Sequence, residues 1–381
     1  MGAILFWTYL EIFKSPVATI NNAADEVKVG LNLELTGPYD YYGNAIKNGA
    51  LLAFEEMNQA GGVNGIKIVP FIVDNKSDPI RSSFLANELA QEGVVSVIGP
   101  DISNNFLKTI SAAMQYKIPN ISATASADDV TVSKNGKVYD YIFRITFNDT
   151  TQSTQMAKFT LNNLGAKNAI VIREVTSAYS NGLAENFIKV FKEGGGNIVD
   201  LMNYSGNETD FQSYLNRIKR EDFDVIYLPG YDVEAAHFIK QAREFGITQP
   251  ILGGDYNASK LLEVAEPSAL NNVYYVTDYL ISNPNPKIQN FIASYREKFS
   301  TIPSFDSAHG YDSAYFIADA IKRAGSTNPQ SIRDAMASTE NFEGVTGTFS
   351  IDKEHNPIKP IYIVELENGV PSKSIIMEPT K

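Results

Sequence analysis

Six short stretches hold the side chains best suited to gripping a small molecule. They are LTGPYDYYG (35–43), GPDISNN (99–105), ISATASADD (121–129), EVTSAYSNG (174–182), PGYDVEA (229–235) and GGDYNAS (253–259). Each follows a short apolar run, and each is built from hydroxyls, amides, tyrosines and acids, with Asp255 at the turn of the last. Hydroxyls and small residues at a strand end leave backbone N–H groups open to something outside the chain. Taken singly, each stretch is ordinary turn chemistry, because Ser, Asn, Asp and Gly are what turns and helix caps use anyway. Taken together they make a polar, aromatic rim.

Catalytic patterns find no support. His237, His309 and His355 are far apart and show no H-x-x-x-H or H-E-x-x-H spacing, so no histidine metal site is expected. Ala178-Tyr179-Ser180-Asn181-Gly182 lacks the first glycine of a G-x-S-x-G elbow. There is no G-x-x-x-x-G-K-[ST] phosphate loop, and the glycines at 61, 62 and 65 and at 194–196 follow predicted helices, where they read as helix stops. The pairs Asp128-Asp129 and Glu55-Glu56 are adjacent, so their carboxylates face different ways. The expectation is a site with no cofactor, no metal and no catalytic residue.

The elements that must position the rim are legible in the hydrophobic pattern. From Val27 onward, short β-branched runs such as VKVGLNLEL, IKIVPFIV, NAIVI and DVIYLPG alternate with amphipathic stretches. That is the signature of βαβ units and parallel sheets. Helices are predicted over 42–59, from Asp78-Pro79, from Ser103 or Asn104, and over 149–164, 181–193, 210–220, 232–245, 286–299, 306–323 and 329–336. The segment GTFSIDKEHNPIKPIYIVELENG predicts two strands around a turn at 353–357. In an open parallel sheet, ligands lie beyond the carboxyl ends of the strands, where helix N-termini expose unpaired N–H groups. The six stretches fall there.

At 381 residues, against about 150 per domain, the chain should make two lobes, each with its own core. No Pro-, Gly- or Ser-rich linker divides them, which predicts a hinge crossed more than once. The net charge of −12 opposes nucleic acid and anionic lipid. Zero cysteines exclude disulfides, thiolate metal sites and a cysteine nucleophile. The apolar stretch from Ala3 to Phe13 is too short to span a bilayer, and residues 1–26 are expected to be a secretory-signal-like or N-terminal extension.

Several of these segments carry a family likeness. VGLNLELTGPYDYYGNAIKNGALLAFEEMNQAGGVNGIKIVPFIVDNKSDP, VSVIGPDISN, IPNISATAS, FRITFNDTTQ, FIKQAREFGITQPILGGD and YDSAYFIADAIKRAG resemble, in order and spacing, the branched-chain amino-acid type of periplasmic binding protein for ABC transporters. The resemblance runs from about Val27 to Leu366. It implies an α/β fold of two doubly wound parallel-sheet lobes joined by a three-crossover hinge. Lobe one would be 27–146 plus 276–346 and lobe two 147–275 plus 347–381. It also implies a periplasmic or otherwise extracytoplasmic monomer that delivers a small-molecule solute to an ABC membrane permease.

Carried over residue by residue, the likeness assigns a solute carboxylate to Ser103 or Asn104 and to Thr124, Ala125 and Ser126. It assigns the ammonium to Asp255, and the aromatic walls to Tyr42, Tyr179 and Tyr231. Charge logic agrees, since burying a carboxylate and an ammonium unpaired would cost several kcal/mol. Ser103-Asn104-Asn105 departs from the repeated serines of many amino-acid binders, so Asn104 or Asn105 could read an amide or hydroxyl instead. The expected solute is a branched-chain, other aliphatic or small polar amino acid. The alternatives are a ligand-binding sensory module, or a binder of an aromatic acid, short amide or urea.

Overall fold

The computed structural model describes residues 26–379; the signal-like segment expected over 1–26 lies, but for Glu26, outside them. The apolar runs become strands. β1 (Glu26–Leu33), β2 (Lys67–Asp74), β3 (Ser96–Ile98), β4 (Asn120–Ser122) and β5 (Ile142–Arg144) form a wholly parallel sheet ordered β2-β1-β3-β4-β5. A second sheet repeats that order with β6 (Asn168–Glu174), β7 (Asn197–Tyr204), β8 (Val225–Tyr227), β9 (Ile251–Leu252) and β10 (Val273–Thr277), running β7-β6-β8-β9-β10. Helices cover both faces of a parallel sheet, so its strands read as continuous apolar runs. Ala169, Ile170, Val171 and Ile172 of β6 are accordingly all buried.

The first core packs Val29, Leu31, Ile98 and Phe143 of the first sheet against Phe54 and Phe316 of the flanking helices Asp40–Gln59 and Phe305–Ala324. Full burial of each such side chain contributes about 1.5–3 kcal/mol. The helix beginning at Pro79 is capped as its sequence predicts, with the Asp78 side chain accepting from Arg81 N–H at 2.6 Å. The helix predicted from Asn181 starts earlier, at Ala178, because Ser177 caps it by accepting from Ser180 N–H at 3.2 Å.

The chain passes between the lobes three times: after β5, after β10, and near Lys359. The third crossing revises the expected boundary at 346/347. β11 (Phe342–Gly344), β12 (Gly347–Ile351) and β13 (Pro357–Ile358) form a small antiparallel sheet, and Val345 and Phe349 are buried in the first core. Residues 347–358 therefore pack with the first lobe. Only β14 (Ile361–Glu367) and β15 (Val370–Met377) extend the second sheet, antiparallel beyond β10. The run predicted as a single strand after the 353–357 turn is thus divided between two sheets, and β15 was not anticipated.

A buried ion pair ties two of the crossings together. Asp278, directly after β10, pairs with Lys359 Nζ at 2.6 Å and lies 3.2 Å from His309 Nε2. Burial opposes ionisation of Asp278, but His309 and Lys359 outweigh it and hold the carboxyl below its ordinary range.

Candidate ligand site

In each sheet the strand order reverses beside the first strand of its lobe, between β1 and β3 and between β6 and β8. A crevice opens beyond the carboxyl ends of the strands at such a point. The two crevices face one another across a shared cavity, the kind of concave position that small-molecule sites occupy. Tyr42, Ser103, Thr124 and Ser126 line it from the first lobe; Tyr179, Tyr231 and Asp255 line it from the second.

Donors dominate one wall. The loop after β4 is turned by Arg144, whose guanidinium is fully buried and donates from Nη1 to the carbonyls of Ser126 and Ala127 at 2.6 and 2.8 Å. With its carbonyls held on that side, the loop keeps its amides for the other. Among the described residues no acceptor is paired with the N–H of Thr124, Ala125 or Ser126. Such unpaired buried donors need a partner. Ser103 Oγ accepts from Ala127 N–H at 3.2 Å, which leaves its own proton to donate.

The opposite wall carries Asp255, partly exposed there. Burial pushes its carboxyl up, and the Tyr179 hydroxyl, donating to Oδ1, pulls it back. Tyr231 packs against Tyr179 with ring centroids 5.7 Å apart and against Tyr39 at 4.7 Å, closing the side of the site.

Two predicted residues lie elsewhere. Asn104 does not line the cavity; its amide clips the lobes together, donating to Thr176 O at 2.8 Å and accepting from Ala178 N–H at 2.9 Å. The Ala125 methyl turns away into an apolar cluster with Phe106, Val130 and Ile142, so only its backbone is placed to act. Ser126 lines the cavity, yet its hydroxyl is spent on Asp149 Oδ1 at 2.7 Å.

Sequence reasoning missed Arg144 and three lining acids, Asp101, Asp232 and Asp306. Asp101 and Asp232 sit inside two of the six rim stretches, two residues from Ser103 and one from Tyr231. Asp306 had no such signal, because it enters from the first turn of a helix that follows no strand. Asp232 accepts from Tyr42 Oη at 3.0 Å across the lobes, and from Asn257 N–H at 2.9 Å. Burial raises it to about 8; burial and the nearby Asp255 raise Asp306 to about 7.

Those two shifts set a pH dependence. A carboxyl whose folded pKa is raised binds more protons folded than unfolded, so its stabilisation is complete below the unfolded value of 3.8 and is lost as pH rises through 7 and 8. His355, lowered mainly by burial, acts only below its ordinary 6.5. The solute-free protein is therefore expected to lose stability progressively between about pH 4 and 8, by up to about 1.4 kcal/mol per pH unit for each group, with His355 no longer opposing the loss above about 6.5. Urea unfolding across that range checks it, and Asp232→Asn should flatten the slope.

The fold, two lobes whose sheets both run 2-1-3-4-5, has known counterparts. The family described as periplasmic binding protein matches residues 26–371. The chain belongs to that family. This binding protein is similar to LivJ, the branched-chain amino acid transporter substrate-binding protein of Streptococcus pneumoniae solved in complex with isoleucine, at 34% identity and TM-score 0.87 over 93% of this chain and 100% of that one. It is 28% identical over 362 residues to Leu/Ile/Val-binding protein homolog 1 of Brucella suis, covering 94% of this chain and 95% of that relative. It also resembles a solute-binding protein of an ABC transporter from R. palustris solved in complex with benzoate, at 25% identity and TM-score 0.81 over 93% of this chain and 96% of that one.

Proposed function

We propose that this binding protein is the exported, monomeric solute receptor of an ABC importer, and that it holds a free α-amino acid between its lobes. The observation that carries this reading is the opposition of poles. The unpaired N–H groups of the loop after β4 and the Ser103 hydroxyl face the same cavity as Asp255 on the other lobe. A carboxylate suits the first and an ammonium the second, and a solute that satisfies both holds the lobes together. Thr124 contributes backbone and hydroxyl, Tyr42 borders the side chain, and Tyr179 and Tyr231 close the second-lobe wall. The solute is bound, carried to the permease and released unchanged.

The isoleucine complex of LivJ and the Brucella relative support an amino acid. The benzoate complex supports a second reading, a carboxylate lacking an amine. Such a solute would leave Asp255 without a cation in a desolvated site, which disfavours it here. Calorimetric titration of refolded protein tests the choice: a free amino acid should bind and its N-acetyl derivative should not.

A further inference from the structure

Within the amino-acid reading, three acids that line the cavity, Asp101, Asp232 and Asp306, lie outside the two poles already assigned and bear on the solute's side chain. Among the described residues, Ile102 is the cavity's one aliphatic lining side chain, beside four tyrosines, and no lysine, arginine or histidine lines it. Asp101 lines it in the loop after β3 and is 4% exposed, and among the described residues no hydrogen-bond donor reaches either carboxyl oxygen. Glu34, fully buried behind it, already accepts from Asn105 Nδ2 at 2.6 Å and from Asp101 N–H at 3.0 Å. Burial and the neighbouring Glu34 push the Asp101 carboxyl well up and burial pushes Glu34 up, which favours one proton held between the two. That proton satisfies one Asp101 oxygen and leaves the other an acceptor.

Asp306 stands beside it, 4% exposed, with one oxygen accepting from Ser304 Oγ at 3.1 Å. Its charge is felt by Asp101, and it in turn feels that of Asp255 on the other lobe. We propose that the solute's side chain ends in a nitrogen donor, an amine, guanidine or amide, and that Asp101 and Asp306 receive it on the first lobe. An isobutyl group placed there leaves a buried acceptor unanswered, whereas an N–H answers it and a cation also relieves the crowding of acids. A site that hydrogen-bonds a substrate group rejects the analogue lacking it far better than an apolar pocket rejects an extra methylene.

The test is calorimetric titration of the refolded full chain with lysine, ornithine, arginine, glutamine and asparagine against leucine, isoleucine and threonine, repeated with Asp101→Leu/Asp306→Leu. The wild type should bind at least one nitrogen-terminated amino acid about tenfold or more tightly than leucine. The double variant should reverse the preference. Which member binds best separates the cationic arm from the amide arm. Leucine, isoleucine or threonine bound more tightly than every nitrogen-terminated amino acid overturns the proposal while leaving the amino-acid reading intact. Binding of none of the eight overturns both. The wild-type ranking decides the matter even if the double variant does not fold.

Discussion

Asp255→Asn is expected to weaken binding of the α-amino acid by about 2–4 kcal/mol, or about 30- to 1000-fold. The substitution is close to isosteric, and Asn keeps an oxygen for the Tyr179 hydroxyl that now donates to Asp255 Oδ1. What it removes is the charge. In the complex, a desolvated ammonium would then face a neutral amide, and most of the lost affinity is the cost of leaving that cation uncompensated. The solute-free protein should behave oppositely. Burial already raises the Asp255 carboxyl, so replacing it relieves a penalty, and unfolding in urea should show stability unchanged or increased. Affinity unaltered by Asp255→Asn would remove the residue from the ammonium position.

Arg144→Met should have the largest effect on stability, about 3–5 kcal/mol by urea unfolding, together with loss of solute binding. The guanidinium is fully buried and its donors are fully employed. Besides the Ser126 and Ala127 carbonyls, Nε and Nη2 donate to Asn356 Oδ1 at 2.9 and 2.7 Å, and Nη2 reaches Thr131 Oγ1 at 3.3 Å. Burial works against its charge, and Asp128 and Asp149 support it. Methionine fills much of the volume but strands several buried acceptors at once, and the loop amides facing the solute lose the anchor that orients them. Arg144→Lys should not rescue binding, because one ammonium cannot reproduce the planar fork. Full solute affinity in Arg144→Lys would show that the loop needs only a charge behind it.

The architecture could be read from periodicity because it depends on local rules. A β-branched run such as NAIVIRE has one good use in an α/β chain, and Asp78-Pro79 or Asn285-Pro286 has one good use as a helix start. The third crossing was harder. GTFSI and IYIVELE look alike in sequence, yet Phe349 fills the first core while β14 pairs with β10. Only tertiary packing separates them.

The site divides in the same way. Residues directly after strands, such as Thr124 and Asp255, could be located because strand ends converge in a doubly wound sheet. Asn104 has the right composition and the right loop, but it points across to Ala178 and Thr176, and no one-dimensional pattern encodes that direction. Arg144 sits in a strand and acts through the backs of other residues' carbonyls. Asp306 reaches the cavity only because its helix begins where the lobes meet.

The most direct measurement is a calorimetric comparison of the tightest-binding amino acid with its N-acetyl derivative and with the amine that lacks its carboxylate. If opposite jaws hold opposite charges of one zwitterion, the parent binds with one-to-one stoichiometry and removing either charge costs at least about 30-fold. An N-acetyl derivative that binds as tightly as the parent would contradict the account.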